Sequence, residues 1–186
     1  DFPASGAITL FIDGGDLRIV ETGTMIDVVP SHAFGSVSDV VITGRDGADD
    51  ELTVDFSGGT PIPAGDVNFS GGSAGGTDTL SLISGTVATV THEFGNLTDG
   101  SVIIDDGSAL SINYTEVEPI SDSLDVTDRV FTFGNTGDNI TLGDNASGGD
   151  AISQISSIAS SSTVAFTNPS GSIVLNADNG GAGNDL

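Results

Sequence analysis

GRDGADDELTVDFSGG (residues 44–59) places Asp46, Asp49, Asp50 and Glu51 at the mouth of a short alternating run, Leu52-Thr53-Val54-Asp55-Phe56, with glycines on either side. Alternation with a period of two marks a strand with one buried face. Gly, Asp and Asn mark the turns that lead into such strands. The stretch therefore reads as an acidic corner followed by a strand. Acids this close repel one another unless a positive charge or a screening medium stands among them. The chain supplies little of its own: Arg18, Arg45 and Arg129 are its only Lys or Arg residues, against 27 Asp and Glu, for a formal charge of -24. No arginine has an obvious companion in the sequence, so compensation is expected from outside, by solvent ions or a hard cation.

The same corner-and-strand pattern recurs along the chain. Units open at Ile8 (ITLFIDGGDLRIVE), Val40, Val67, Val102 (VIIDDGSALSINY), Val130 and Ile173. Three carry Asp-x-[Leu/Ile]-x-[Leu/Val]: Asp50-Leu52-Val54, Asp78-Leu80-Leu82 and Asp138-Ile140-Leu142. Taking Ile12, Ile42, Phe69, Ile104, Phe133 and Leu175 as equivalent gives spacings of 30, 27, 35, 29 and 42 residues. Repeats in that range indicate solenoids or arrays. A single strand pair cannot bury its apolar face alone, whereas stacked coils share one core. The expected fold is all-β: a parallel, right-handed β-solenoid over residues 1–186 as one module. An antiparallel β-sandwich, which also uses many short strands, is the alternative. Helical periodicity is nearly absent; its best candidate, residues 149–162, is rich in Ser and poor in helix formers.

Composition narrows the function. Phosphate recognition needs a basic patch, so nucleic acid is not an expected partner, and neither is an anionic membrane surface. No run approaches the ~20 apolar residues that span a bilayer. Hydrophobic residues make up 37% of the chain, which favours folding over disorder despite the charge. Without Cys there is no disulfide framework and no thiolate metal site. The chain starts at Asp1 rather than Met, and is expected to be cut from, or joined to, a longer chain or assembly.

The corners admit two readings. Asp and Asn can bond neighbouring backbone N–H groups, which makes them corner residues and nothing more. Alternatively they bind calcium, which takes six to eight oxygens from carboxylates, carbonyls and water. The candidate calcium ligands are Asp46, Asp49, Asp50, Asp78, Asp138 and Asp185, with Asp105 and Asp106 at the corner of DDGSALSINY. GGAGND (residues 180–185) matches the start of the calcium-binding nonapeptide.

An enzyme is not expected. With 27 acids, some carboxylate pair at a glycosidase spacing arises by chance. No nucleophile elbow occurs, and His32 and His92 lack zinc-ligand spacing. Both histidines read as partly exposed loop residues. The nine Phe mostly fall at alternating strand positions and read as core. Asn68, Asn96, Asn113, Asn139 and Asn145 begin glycosylation sequons.

DDELTVDFSGGTPIPAG, GTDTLSL, VEPISDSLDVTDRVFTFGNTGDNITL and VAFTNPSGSIVLNADNGGAGNDL, between residues 40 and 186, resemble modules of giant Gly/Asp-rich surface or secreted proteins of aquatic bacteria. The resemblance implies an extracellular, structural or adhesive role without catalytic residues. Self-association or continuation into neighbouring modules is expected, with a glycan or surface ligand as partner. The competing expectation is a polysaccharide-binding or polysaccharide-degrading β-helix protein.

Overall fold

The computed structural model describes residues 2–73, 75–134 and 139–177. Its strands are β1 (Ala7–Asp13), β2 (Asp16–Glu21), β3 (His32–Ala33), β4 (Val40–Thr43), β5 (Glu51–Asp55), β6 (Val67–Ser70), β7 (Thr79–Ile83) and β8 (Thr86–Phe94). They continue with β9 (Gly100–Asp105), β10 (Ala109–Thr115), β11 (Ile120–Asp122), β12 (Asp125–Phe133), β13 (Ile140–Asp144), β14 (Ile152–Ser157), β15 (Ser161–Thr167) and β16 (Ser172–Ala177). The protein is all-β, and its strands form two mixed, open sheets. The first has the order β13-β14-β15-β11-β7-β5-β1-β2-β3, the second β16-β12-β8-β9-β10-β6-β4.

From β4 onward the chain passes back and forth between the sheets. β5, β7 and β11 lie in the first sheet; β4, β6, the β8–β10 meander and β12 lie in the second. The strands that return to a sheet pair in parallel: β1 with β5, β5 with β7, β7 with β11 and β11 with β15 on one side. On the other side β4 pairs with β6, β6 with β10, β8 with β12 and β12 with β16, again in parallel. Antiparallel pairing comes from local hairpins. The β1–β2 turn is one: Gly14 and Gly15 both have positive φ, 61° and 93°, as a two-residue hairpin turn demands.

Strand alternation builds the core directly. In the first sheet, Ile8, Leu52, Leu80, Ile120 and Val164 stand side by side in register, and all are buried. In the second, Ile42 aligns with Phe69, and Phe69 with Tyr114. Both faces join in one hydrophobic cluster that takes in Phe2, Phe56, Phe69, Phe94, Phe131, Phe133 and Phe166, as expected for phenylalanines at alternating positions.

Register also corrects parts of the repeat. Asp50-Leu52-Val54 and Asp78-Leu80-Leu82 are true equivalents, since Leu52 faces Leu80 and Val54 faces Leu82. Ile140 and Leu142 are not a third copy: β13 is the outer strand of the β13–β14–β15 meander and pairs antiparallel with β14. Ile12 lies in the first sheet, away from Ile42 and Phe69, and Ile104 is on the antiparallel strand β9. A Gly/Asp turn between alternating runs serves a hairpin and a sheet-to-sheet corner alike, so the local pattern does not distinguish them. The weak helical candidate at 149–162 forms strand β14 and the start of β15, consistent with its poor helix formers.

Candidate functional site

The acidic corner of residues 44–50 joins β4 to β5 and stacks on the corner of residues 71–78, which joins β6 to β7. Carboxylates of one corner accept hydrogen bonds from the other. Asp46 Oδ1 accepts from the Ser73 backbone N–H at 3.0 Å and from its hydroxyl at 2.7 Å. Asp49 Oδ1 accepts from the Thr77 N–H at 2.8 Å. Asp78 Oδ1 accepts from the Asp50 N–H at 2.9 Å. The same clamp recurs between Asp66 and the Ser111 N–H (2.8 Å), and between Asp128 and the Ser172 N–H (3.0 Å). The backbone N–H groups of Asp50, Ser73, Thr77, Ser111 and Ser172 are thus satisfied by carboxylates from a neighbouring segment.

The positive charge for this corner comes from inside the stretch. Arg45 turns back on Asp50, donating from Nε and Nη2 to Oδ1 at 2.9 and 2.6 Å, while its backbone N–H reaches Oδ2. Asp50 is 2% exposed, so its charge is buried with a forked cation against it. The other arginines are also paired: Arg18 with Asp13 and Asp27, and Arg129 with Asp122. The expectation that the arginines lack companions is therefore overturned.

Of the candidate calcium ligands, the fold brings together Asp46, Asp49, Asp50 and Asp78. Asp105 and Asp106 belong to the β9–β10 hairpin turn, where Asp105 accepts from the Gly107 N–H at 3.0 Å and Asp106 is exposed. Asp138 and Asp185, with the GGAGND stretch, lie outside the described residues. Among the described residues no three His, Asp or Glu side chains are grouped to hold a metal ion. Asp50 is committed to Arg45, whereas Asp46 and Asp49 each keep one oxygen clear of the hydrogen bonds above. Burial pushes the Asp78 carboxyl up; the Asp50 N–H opposes this, and the charges of Asp50, Asp49 and Glu116 reinforce it. The Ser73 hydroxyl and N–H hold Asp46 below the usual carboxylate range.

A second cluster went unread in the sequence. His92 on β8, Asp122 on β11 and Arg129 on β12 are wholly buried between the sheets. His92 Nε2 lies 3.0 Å from Asp122 Oδ2, and Arg129 Nη1 donates to the same oxygen. Arg129 also donates to the carbonyls of Thr167 and Leu124, both at 2.8 Å. Burial pushes the Asp122 carboxyl up, but the His92 hydrogen bond and the Arg129 charge outweigh it and hold it below the usual range. The His92 ring stacks on Phe131 and Phe94, and among the described residues its Nδ1 has no hydrogen-bond partner. His92 is thus a core residue, not the loop residue expected; His32, on β3, is exposed. The signal was present in VTHEF, where His92 falls between Val90 and Phe94 at inward positions. A His–Asp pair of this kind can orient a general base, but at 0% exposure it meets no substrate. Its chemistry here is structural.

A groove of about 480 Å³ crosses the outer face of the first sheet over β7, β11 and β15. A smaller one, of about 320 Å³, lies beside Asp49, Asp50 and Glu51. Among the described residues no helix is long and apolar enough to cross a membrane. Comparison with protein-family models, curated proteins and solved structures finds no match.

Proposed function

We propose that this chain is a parallel, right-handed β-solenoid module of an extracellular bacterial surface protein or fibre, with a structural and adhesive role. The observation that carries the reading is the combination of sheet-to-sheet alternation with parallel pairing of the returning strands. That is how coils stack, and right-handed crossover is the rule for such connections. Neighbouring modules or further copies stack head to tail on its ends. Two features support this. The outermost strands β4 and β16 run in the same direction as the main strands of the second sheet, so a translated copy extends that sheet in parallel. Several large exposed apolar side chains lie in the end elements, Met25, Ile26 and Val41 at one end and Leu142, Ile173 and Val174 at the other, while Leu97 and Ile158 lie in hairpin turns. Such edges invite another chain, and head-to-tail contact that does not close makes a filament.

Light scattering across a concentration series, with salt to screen the charge of -24, tests the stacking. Mass should grow with concentration, and Val41→Lys should suppress the growth. A monomer at all concentrations in high salt overturns the self-stacking.

Calcium belongs to the same proposal as a surface bridge at Asp46 and Asp49. Its removal by a chelator in low salt should lower the melting temperature. An unchanged melting curve disposes of the calcium component and leaves the stacking intact.

A further inference from the structure

The groove on the first sheet is built unlike the corners. Strand register sets Thr53, Ser81, Ser121 and Ala165 side by side across β5, β7, β11 and β15, at the strand spacing of about 4.8 Å. Of these, Ser81, Ser121 and Ala165 form the floor of a channel that crosses the strands. Glu51 stands at one margin and Gln154 at the other. Glu51 is held by the hydroxyls of Thr53 and Ser81, each at 3.4 Å. Thr79, Ser121, Gln154 and Thr163 also line the groove, yet none of their side chains makes a hydrogen bond among the described residues. Here hydroxyl and amide groups converge on an open channel of about 480 Å³, within the size range of small-molecule sites.

We infer that this groove binds a neutral, linear oligosaccharide laid across the strands. The chemistry selects that class. Hydroxyls and an amide both donate and accept, as a polyol ligand does. Among the described residues the only charged group in the lining is Glu51, with no cation there to hold a phosphate, sulfate or uronate chain. The acidic chain as a whole repels polyanions. No aromatic side chain lines the groove to stack on a sugar ring, so a single site binds weakly. Stacked modules compensate by presenting many such sites, and avidity then supplies the hold. The inference deepens the adhesive part of the proposal above and rests on it; weak binding at a single groove does not need the stacking, whereas the avidity does.

The test is a ¹⁵N–¹H titration of the whole chain with cellopentaose, laminaripentaose, maltopentaose and mannopentaose at millimolar concentration. Pentagalacturonate is the charged control. At least one neutral chain should shift resonances confined to β7, β11 and β15, while pentagalacturonate shifts none. Ser121→Phe fills the floor at an exposed position and should weaken binding at least about tenfold. Gln154→Ala, a milder change, should weaken it less, and Asn113→Phe on the opposite sheet should leave it unchanged. The inference is overturned if no neutral chain shifts these strands, if the uronate binds equally well, or if both groove variants bind like the parent. Light scattering on Ser121→Phe keeps the two readings apart: lost sugar binding with retained stacking tells against neither.

Discussion

Asp122 occupies a position that its neighbours fill with apolar side chains. Along the same row of the first sheet stand Leu10, Val54, Leu82 and Phe166. His92 likewise interrupts a row of the second sheet that runs through Val67, Ile112, Val102 and Phe131. A carboxylate survives there because Arg129, His92 and the Leu124 N–H, at 3.1 Å, all donate to it. Removing one partner leaves an uncompensated buried charge, which costs far more than the intact pair contributes. Arg129→Met should therefore destabilise the fold by about 3–5 kcal/mol, read by chemical denaturation. Arg129→Met combined with Asp122→Leu should recover much of that loss, because the double change restores an apolar row.

At the scale of elements, the corners are where backbone approaches backbone. A methyl group on Gly71 would sit 2.2 Å from the Glu116 carbonyl oxygen and 2.5 Å from Asp78 Cβ. One on Gly76 would sit 1.9 Å from the Ala48 carbonyl oxygen. Gly143, on the outer strand β13, has nothing within 4 Å of such a methyl and a φ that any residue accepts. Gly71→Ala should accordingly cost about 1–3 kcal/mol, the usual range for overpacking, while Gly143→Ala leaves stability within about 0.5 kcal/mol. Equal melting temperatures for the two variants would mean that the corners do not hold the paired strands in register.

For the whole molecule, pH separates two groups of acids. Burial and the acids around them push Asp78 and Glu118 up. Their contribution is complete below the ordinary carboxyl range and is lost as pH rises through their folded values. Asp46, Asp99 and Asp122 are lowered by their hydrogen bonds, with Arg129 also acting on Asp122. Their contribution is present above about pH 4 and is lost as pH falls through their folded values. The melting temperature should thus rise as pH drops through the folded values of Asp78 and Glu118, then fall as pH drops further through those of Asp46, Asp99 and Asp122. Asp78→Asn, which keeps an acceptor for the Asp50 N–H, should raise the melting temperature at pH 7 and flatten the rise. A profile that falls continuously from pH 7 downward would contradict this assignment.

The all-β class, the phenylalanine core and the true equivalence of the Asp50 and Asp78 units were legible in the sequence, because strand periodicity and turn chemistry are local. So was the choice of acids for the corners: carboxylates satisfy backbone N–H groups whatever the stack above them. Only the tertiary structure decided which Gly/Asp turns close hairpins and which carry the chain from one sheet to the other, since both use the same residues. It alone paired Arg45 with Asp50 to neutralise the crowded corner. It also drew His92, Asp122 and Arg129 into one buried cluster from three strands. The physical reason is that charge compensation and burial depend on distance in space, and register across sheets sets that distance, not spacing along the chain.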